Sequence, residues 1–162
     1  MMHNFKKRSG NLMIESMVAI SISTIGLLGI VGLLSQSLAL NKDVGQKFVA
    51  TYLAAEGIEV VKNLIDTNYT RGRSWNRGLN SGNWEVVWDD TSLERDDDRY
   101  LFFDPDSGAY NYNSSGNQTQ FKRQVMIDNI SADEIKVVSR VNWSDRGDPK
   151  AVSLEDHFFN WR

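Results

Sequence analysis

The feature that most constrains this chain is an uncharged stretch near its start. From Ser16 to Asn41, 26 residues pass without an Asp, Glu, Lys or Arg. About 20 apolar residues are enough to cross a bilayer as a helix, so the run predicts a membrane-spanning helix over about residues 12–40. Lys6, Lys7 and Arg8 precede it, and basic residues on one flank place that end in the cytoplasm. The remainder is then extracytoplasmic on a single-pass inner (plasma) membrane anchor. One carboxylate, Glu15, stands at the front edge of the run. An acidic side chain costs roughly 2.5–3.5 kcal/mol in hydrocarbon, which makes it a functional candidate by default.

A secretory signal peptide would need an apolar core of about 7–15 residues and a small-x-small cut site. Ser37-Leu38-Ala39 offers such a site, but the run before it is too long and opens on Glu15. A plain signal anchor fits the length and the charges. A buried core helix does not, because a domain of this size has no interior that long.

Lys6-Lys7-Arg8-Ser9-Gly10 followed by Asn11-Leu12-Met13-Ile14-Glu15 and a long apolar helix resembles the class III signal of type IV prepilins and pseudopilins. The resemblance covers the first 66 residues. It implies that a prepilin peptidase cuts between Gly10 and Asn11 and methylates the new amino terminus. It also implies that Glu15, fifth after the glycine, serves assembly into a filament. The family usually carries Phe after the cut; Asn11 here points to a minor subunit. The partners implied are other pilin subunits, the peptidase, an inner-membrane assembly platform and, before assembly, the lipid bilayer. In related filaments this helix is locally unwound on assembly. Gly26, Gly29 and Gly32 lie where helices also approach closely, and Gly32 is the candidate for that opening.

Three segments follow from these boundaries: a cleaved leader at 1–10, a helix at 11–66 and a β-rich domain at 67–162. From Leu40 to Asp66 there is no proline. Asp43 and Lys47 are spaced to pair on an exposed face. Val49, Leu53, Val60, Val61 and Leu64 form an apolar stripe, with Glu56, Glu59, Asn63 and Asp66 opposite. The second half is therefore amphipathic and buries its stripe against a sheet. Taken over 11–66, the helix would be roughly 80 Å long. Val44, Phe48 and Tyr52, spaced by four and off that stripe, read as extra core or lipid-interface anchors, or as contacts for neighbouring subunits.

After Asp66 the texture changes. Thr67 to Asn83 is rich in Asn, Gly, Ser and Arg and reads as a loop. Strands are predicted at Trp84–Trp88, at 100–103 and 109–112 around an Asp104-Pro105-Asp106-Ser107-Gly108 turn, and at Phe121–Ile127. Two more are predicted at Glu134–Trp143 and Val152–Trp161, around a turn at Asp145–Pro149. Phe121, Arg123, Val125 and Ile127 share one face of their strand, as do Ile135, Val137, Val141 and Trp143. Short connections predict an antiparallel meander. The fold class is α+β and pilin-like: a long N-terminal helix, spanning the membrane with its first half, packed on a small antiparallel sheet.

Composition narrows the function. The 162 residues carry 18 basic and 21 acidic side chains; from Thr67 onward the count is 12 against 16, a net of -4. No basic stripe appears, so no specific nucleic-acid partner is implied. Cysteine is absent, which excludes a disulfide framework and a thiol nucleophile. His3 falls in the leader, and His157 alone remains. No phosphate-binding loop or nucleophile elbow is present. The acidic run Asp89, Asp90, Glu94, Asp96, Asp97 and Asp98 lacks EF-hand spacing and is offset by Arg95 and Arg99, which reads as a solvated loop. No enzyme, metal or cofactor is expected. Two function classes remain: a filament subunit assembled through its helix, or an anchored extracytoplasmic module for adhesion, DNA or secreted proteins. A mere anchor has no use for Glu15.

Overall fold

A computed structural model describes residues 8–161, with side chains from residue 11 onward. Residues 1–7, the greater part of the expected leader and His3 among them, lie outside the described residues. Two compact units result, one ending at Val44 and one starting at Gly45.

Within the first unit the chain is helical from Arg8 onward as part of α1 (Arg8–Thr70). This helix is long and apolar enough to cross a membrane, with mean hydropathy 2.3 over its most apolar window and none of that window buried. Leu12, Ile14, Ile20, Leu27, Leu33 and Leu38 are all more than half exposed. Hydroxyls along the run turn inward onto the helix's own backbone. Ser21, Thr24 and Ser35 each donate to the carbonyl four residues back, at 2.7–2.9 Å, which removes their need for water.

In the second unit, the last turns of α1 lie on a five-stranded antiparallel sheet. Its order is β2-β1-β6-β7-β8, from β1 (Gly82–Glu85), β2 (Glu94–Arg95), β6 (Lys122–Ser131), β7 (Glu134–Asp145) and β8 (Asp148–Phe159). A second sheet, β4-β3-β5, comes from β3 (Phe102–Asp104), β4 (Ala109–Asn111) and β5 (Asn117–Gln118). Only β6 to β8 run as a plain meander; the small sheet is inserted between β2 and β6, so β1 pairs with β6 across a long connection.

Of the predicted stripe, Leu53, Val60 and Val61 are buried and Val49 and Leu64 partly so, with Ala50, Ala54 and Ile65 completing the buried face. Ala50, Leu53 and Ala54 pack with Leu101, Phe121, Val141 and Trp143. Val60, Val61 and Ile65 pack with Trp75, Leu79, Val86, Val125, Ile127, Ile135 and Val137. Gly57 separates the two clusters and is itself buried. A Cβ there would sit 2.4 Å from Ser139 Oγ and 3.1 Å from Val125 Cγ2. Only a glycine lets the helix approach the sheet this closely.

Both hairpin turns form where their residues predict them. Asp104 accepts from the Asp106 amide and the Ser107 hydroxyl, and Gly108, at φ 70°, donates to Asp104 O at 2.8 Å. At the β7–β8 turn, Arg146 (φ 53°) and Gly147 (φ 91°) both take the left-handed conformation, as a tight hairpin between twisted strands requires.

Four expectations are corrected. The helix runs to Thr70, beyond Asp66, and ends where Gly72 (φ 62°) turns the chain. There Gly72 N donates to Tyr69 O and Arg73 N to Asn68 O, the bond pair of a glycine-terminated helix end. The Trp84–Trp88 strand stops at Glu85, because the Asp90 carboxylate takes the Val87 amide at 2.7 Å and bends the chain away. Val86 is buried, but Trp88 is exposed. The last strand starts at Asp148 and closes at Phe159. Glu56, expected on the solvent side, is only 19% exposed and points at the sheet.

Candidate functional site

The predicted processing and assembly residues lie in the first turns of the described helix. Gly10 is helical in its backbone, and Asn11 and Glu15 are exposed. Asn11 and Glu15 are four apart, so they share one helix face. Ser16 donates to Met13 O at 2.9 Å and leaves the Glu15 carboxylate alone. Among the residues whose side chains are described, no cation lies within ion-pair distance of Glu15. What the segment offers chemically is one carboxylate at the edge of an uninterrupted apolar surface.

Of the expected aromatic row, Val44 belongs to the first unit, where it is exposed. Phe48 and Tyr52 belong to the second and are 73% and 67% exposed. They are not core, which leaves the readings of a lipid-interface anchor and of a contact surface for neighbouring subunits. Beside them an apolar recess of about 220 Å³ is lined by Phe48, Val49, Tyr52, Leu53 and Tyr110.

Sequence reasoning missed the buried charge network. Arg123 is 1% exposed. Its Nη1 donates to Leu53 O at 3.0 Å and to Glu56 Oε1 at 2.8 Å; its Nη2 donates to Val86 O. One guanidinium thereby ties α1, β6 and the segment after β1 together. Glu85, fully buried, accepts from the backbone amides of Asp97 and Arg99 and from Arg99 Nε at 2.6 Å. Arg99 also reaches Glu94 at 3.0 Å. Tyr112 closes the set: its ring lies 4.6 Å from the Arg99 guanidinium carbon and its hydroxyl donates to Arg123 O. Burial pushes the Tyr112 phenol well above its usual pKa. One signal was in plain sight, since Arg123 sits in the row Phe121-x-Arg123-x-Val125-x-Ile127. A cation in an apolar row needs acceptors brought to it by the fold.

The acidic run is tied in rather than simply solvated. Asp98 pairs with Lys122 at 2.5 Å, Asp96 accepts from Gln124, and Glu94 pairs with Arg99. Among the described residues no cluster of three His, Asp or Glu side chains is placed to hold a metal. His157 faces carboxylates, Glu134 at 2.8 Å and Glu155 at 3.4 Å. The hydrogen bond that His157 Nδ1 donates to Glu134 is the main influence raising its pKa above the ordinary value, with Glu155 adding to it.

No family model, curated protein or solved structure matches the chain.

Proposed function

We propose that this chain is a structural subunit, of the minor pilin or pseudopilin kind, in a type IV pilus-like filament. It enters that filament through its N-terminal helix after cleavage between Gly10 and Asn11. The observation that carries the reading is Glu15, a carboxylate without a described partner at the edge of a fully exposed apolar helix. Such a surface has to be covered by lipid or by other helices. Lipid alone gives a carboxylate no counter-charge, whereas a neighbouring subunit brings the amino terminus of its own Asn11. Pairing there offsets the cost of burying each charge only when both are present. The contact therefore sets the axial register of an incoming subunit. The exposed Phe48 and Tyr52 add a second surface of the same kind.

Mass spectrometry of the protein recovered from filaments or membranes is expected to show a chain starting at Asn11. A mature chain starting near Leu40 would overturn the proposal. Glu15→Val leaves the span more apolar, so the variant inserts and is cleaved but is depleted from sheared filaments when expressed beside the wild type. Equal recovery of both forms would point instead to a plain membrane anchor carrying a binding module.

A further inference from the structure

The loop that ends α1 carries three arginines, Arg71, Arg73 and Arg77, and all three line one cavity of about 350 Å³. We propose that this cavity is a binding site for a phosphate group, free or carried in a phosphodiester polymer.

Three observations support it. First, the cavity lining contains three guanidinium groups and no carboxylate, in a region of the chain that is acidic as a whole. Second, none of the three arginines has an ion-pair partner among the described residues. Elsewhere in the same unit Arg99 and Arg123 are paired, while Arg95, Arg140 and Arg146 have no ion pair among the described residues; Arg71, Arg73 and Arg77 differ from these in sharing one cavity. Three like charges gathered on seven residues repel one another until an anion sits among them.

Third, the loop is held in shape rather than left as a floppy tail. The glycine-terminated helix end fixes Arg71 to Arg73. The buried Asn68 side chain donates to Trp75 O at 3.1 Å and to Arg77 O at 2.9 Å. Trp75 and Leu79 sink into the core on either side of Arg77. The backbone that carries the guanidinium groups is thus ordered before any ligand arrives, which lowers the cost of binding.

The chemistry favours phosphate over a carboxylate. A planar guanidinium grips an oxyanion through two parallel N–H donors, and three of them suit a multiply charged anion. Trp84 lines the same cavity with its indole N–H already spent on Asn80 O at 3.0 Å. Its ring is available to pack against a ligand rather than to donate to it. Anion capture here is independent of whether the chain enters a filament.

The test uses the full chain in nonionic detergent at low ionic strength. Calorimetric titration with inorganic phosphate is expected to show saturable binding to one site. Arg73→Gln weakens it about tenfold, the loss expected for one charge-assisted hydrogen bond, and the triple Arg71→Gln, Arg73→Gln, Arg77→Gln variant abolishes it. These side chains are exposed, so the fold survives, as circular dichroism will show. Arg146→Gln, at the distant hairpin turn, leaves binding unchanged. A single-stranded oligonucleotide separates the two sources. If the occupant is a polymer, it binds more tightly than phosphate, and its salt slope falls by about two in the triple variant. If the occupant is a free phosphate, it binds no more tightly. No saturable phosphate binding, or equal binding by wild type and triple variant, would overturn the proposal.

Discussion

Gly57→Ala is the substitution whose outcome the packing determines most sharply. In an exposed helix interior, alanine in place of glycine stabilises by about 1 kcal/mol. Here the new methyl would meet Ser139 Oγ at 2.4 Å, Val125 Cγ2 at 3.1 Å and Ser139 Cβ at 3.2 Å. The first distance cannot persist, and overpacking of this kind costs about 1–3 kcal/mol. Subtracting the helix gain leaves a net loss of about 0–2 kcal/mol. Ser139 then becomes the informative partner. Its hydroxyl is buried and has no hydrogen-bond partner among the described residues, so Ser139→Ala alone stabilises by about 1 kcal/mol. It also removes the tightest contact with the new methyl. The double variant is therefore more stable than the two single changes added together, by about 1 kcal/mol or more. Denaturant unfolding of the full chain in detergent micelles, followed by tryptophan fluorescence, measures all four corners of the cycle. A Gly57→Ala protein that gains about 1 kcal/mol whether or not Ser139 is present would refute the close approach of helix and strand.

Two further outcomes are expected from the charge network and from His157. Arg123→Met leaves Glu56 and the Leu53 and Val86 carbonyls without their donor; breaking a buried pair on one side costs about 3–5 kcal/mol, and the partial exposure of Glu56 places the loss at the lower end, readable in the same unfolding assay. The His157 pKa is raised, chiefly by Glu134, so the folded state holds the proton more tightly than the unfolded chain. Its stabilisation is complete below the unfolded value and is lost as pH rises through the folded one. An NMR titration should find the ring pKa above 6.5 in the wild type and closer to it in Glu134→Gln; an unchanged value in the variant would refute the pairing.

Periodicity carried most of the fold because its causes are local. The apolar stripe from Val49 to Leu64, the alternation in β6 and β7, and the Asp-Pro-Asp-Ser-Gly and Arg-Gly turns each express a constraint satisfied within a few residues. Helix and strand ends were less legible. Whether α1 stops at Asp66 or Thr70 depends on Gly72, whose role as a terminator was hidden inside a stretch that reads as loop. Trp84 to Trp88 alternates like a strand, but Asp90 captures the Val87 amide and breaks it, and alternation alone carries no sign of that. Glu56 was misplaced by miscounting the wheel. At about 100° per residue it lies only about 40° from Val60 and about 60° from Leu53, on the flank of the stripe, where Arg123 meets it.

The contrast between paired and unpaired charge separates what holds the fold from what is open to a partner. In the second unit the buried charges, Arg123 and Glu85, are met by carbonyls, amides and opposite charges from distant parts of the chain. Leaving a buried ion unmatched would cost several kcal/mol, so these pairings are conditions of folding and say little about partners. In the apolar helix the hydroxyls close onto their own backbone, a condition of leaving water. Glu15 meets neither condition from within its own described surroundings, and neither do Arg71, Arg73 and Arg77. A charge that the fold does not need, at a position where the chain has not supplied its counterpart, is where a second molecule gains most by binding. Under the two proposals Glu15 serves assembly and the arginine cavity an anion, and the two can be removed separately without touching the network that keeps the sheet on its helix.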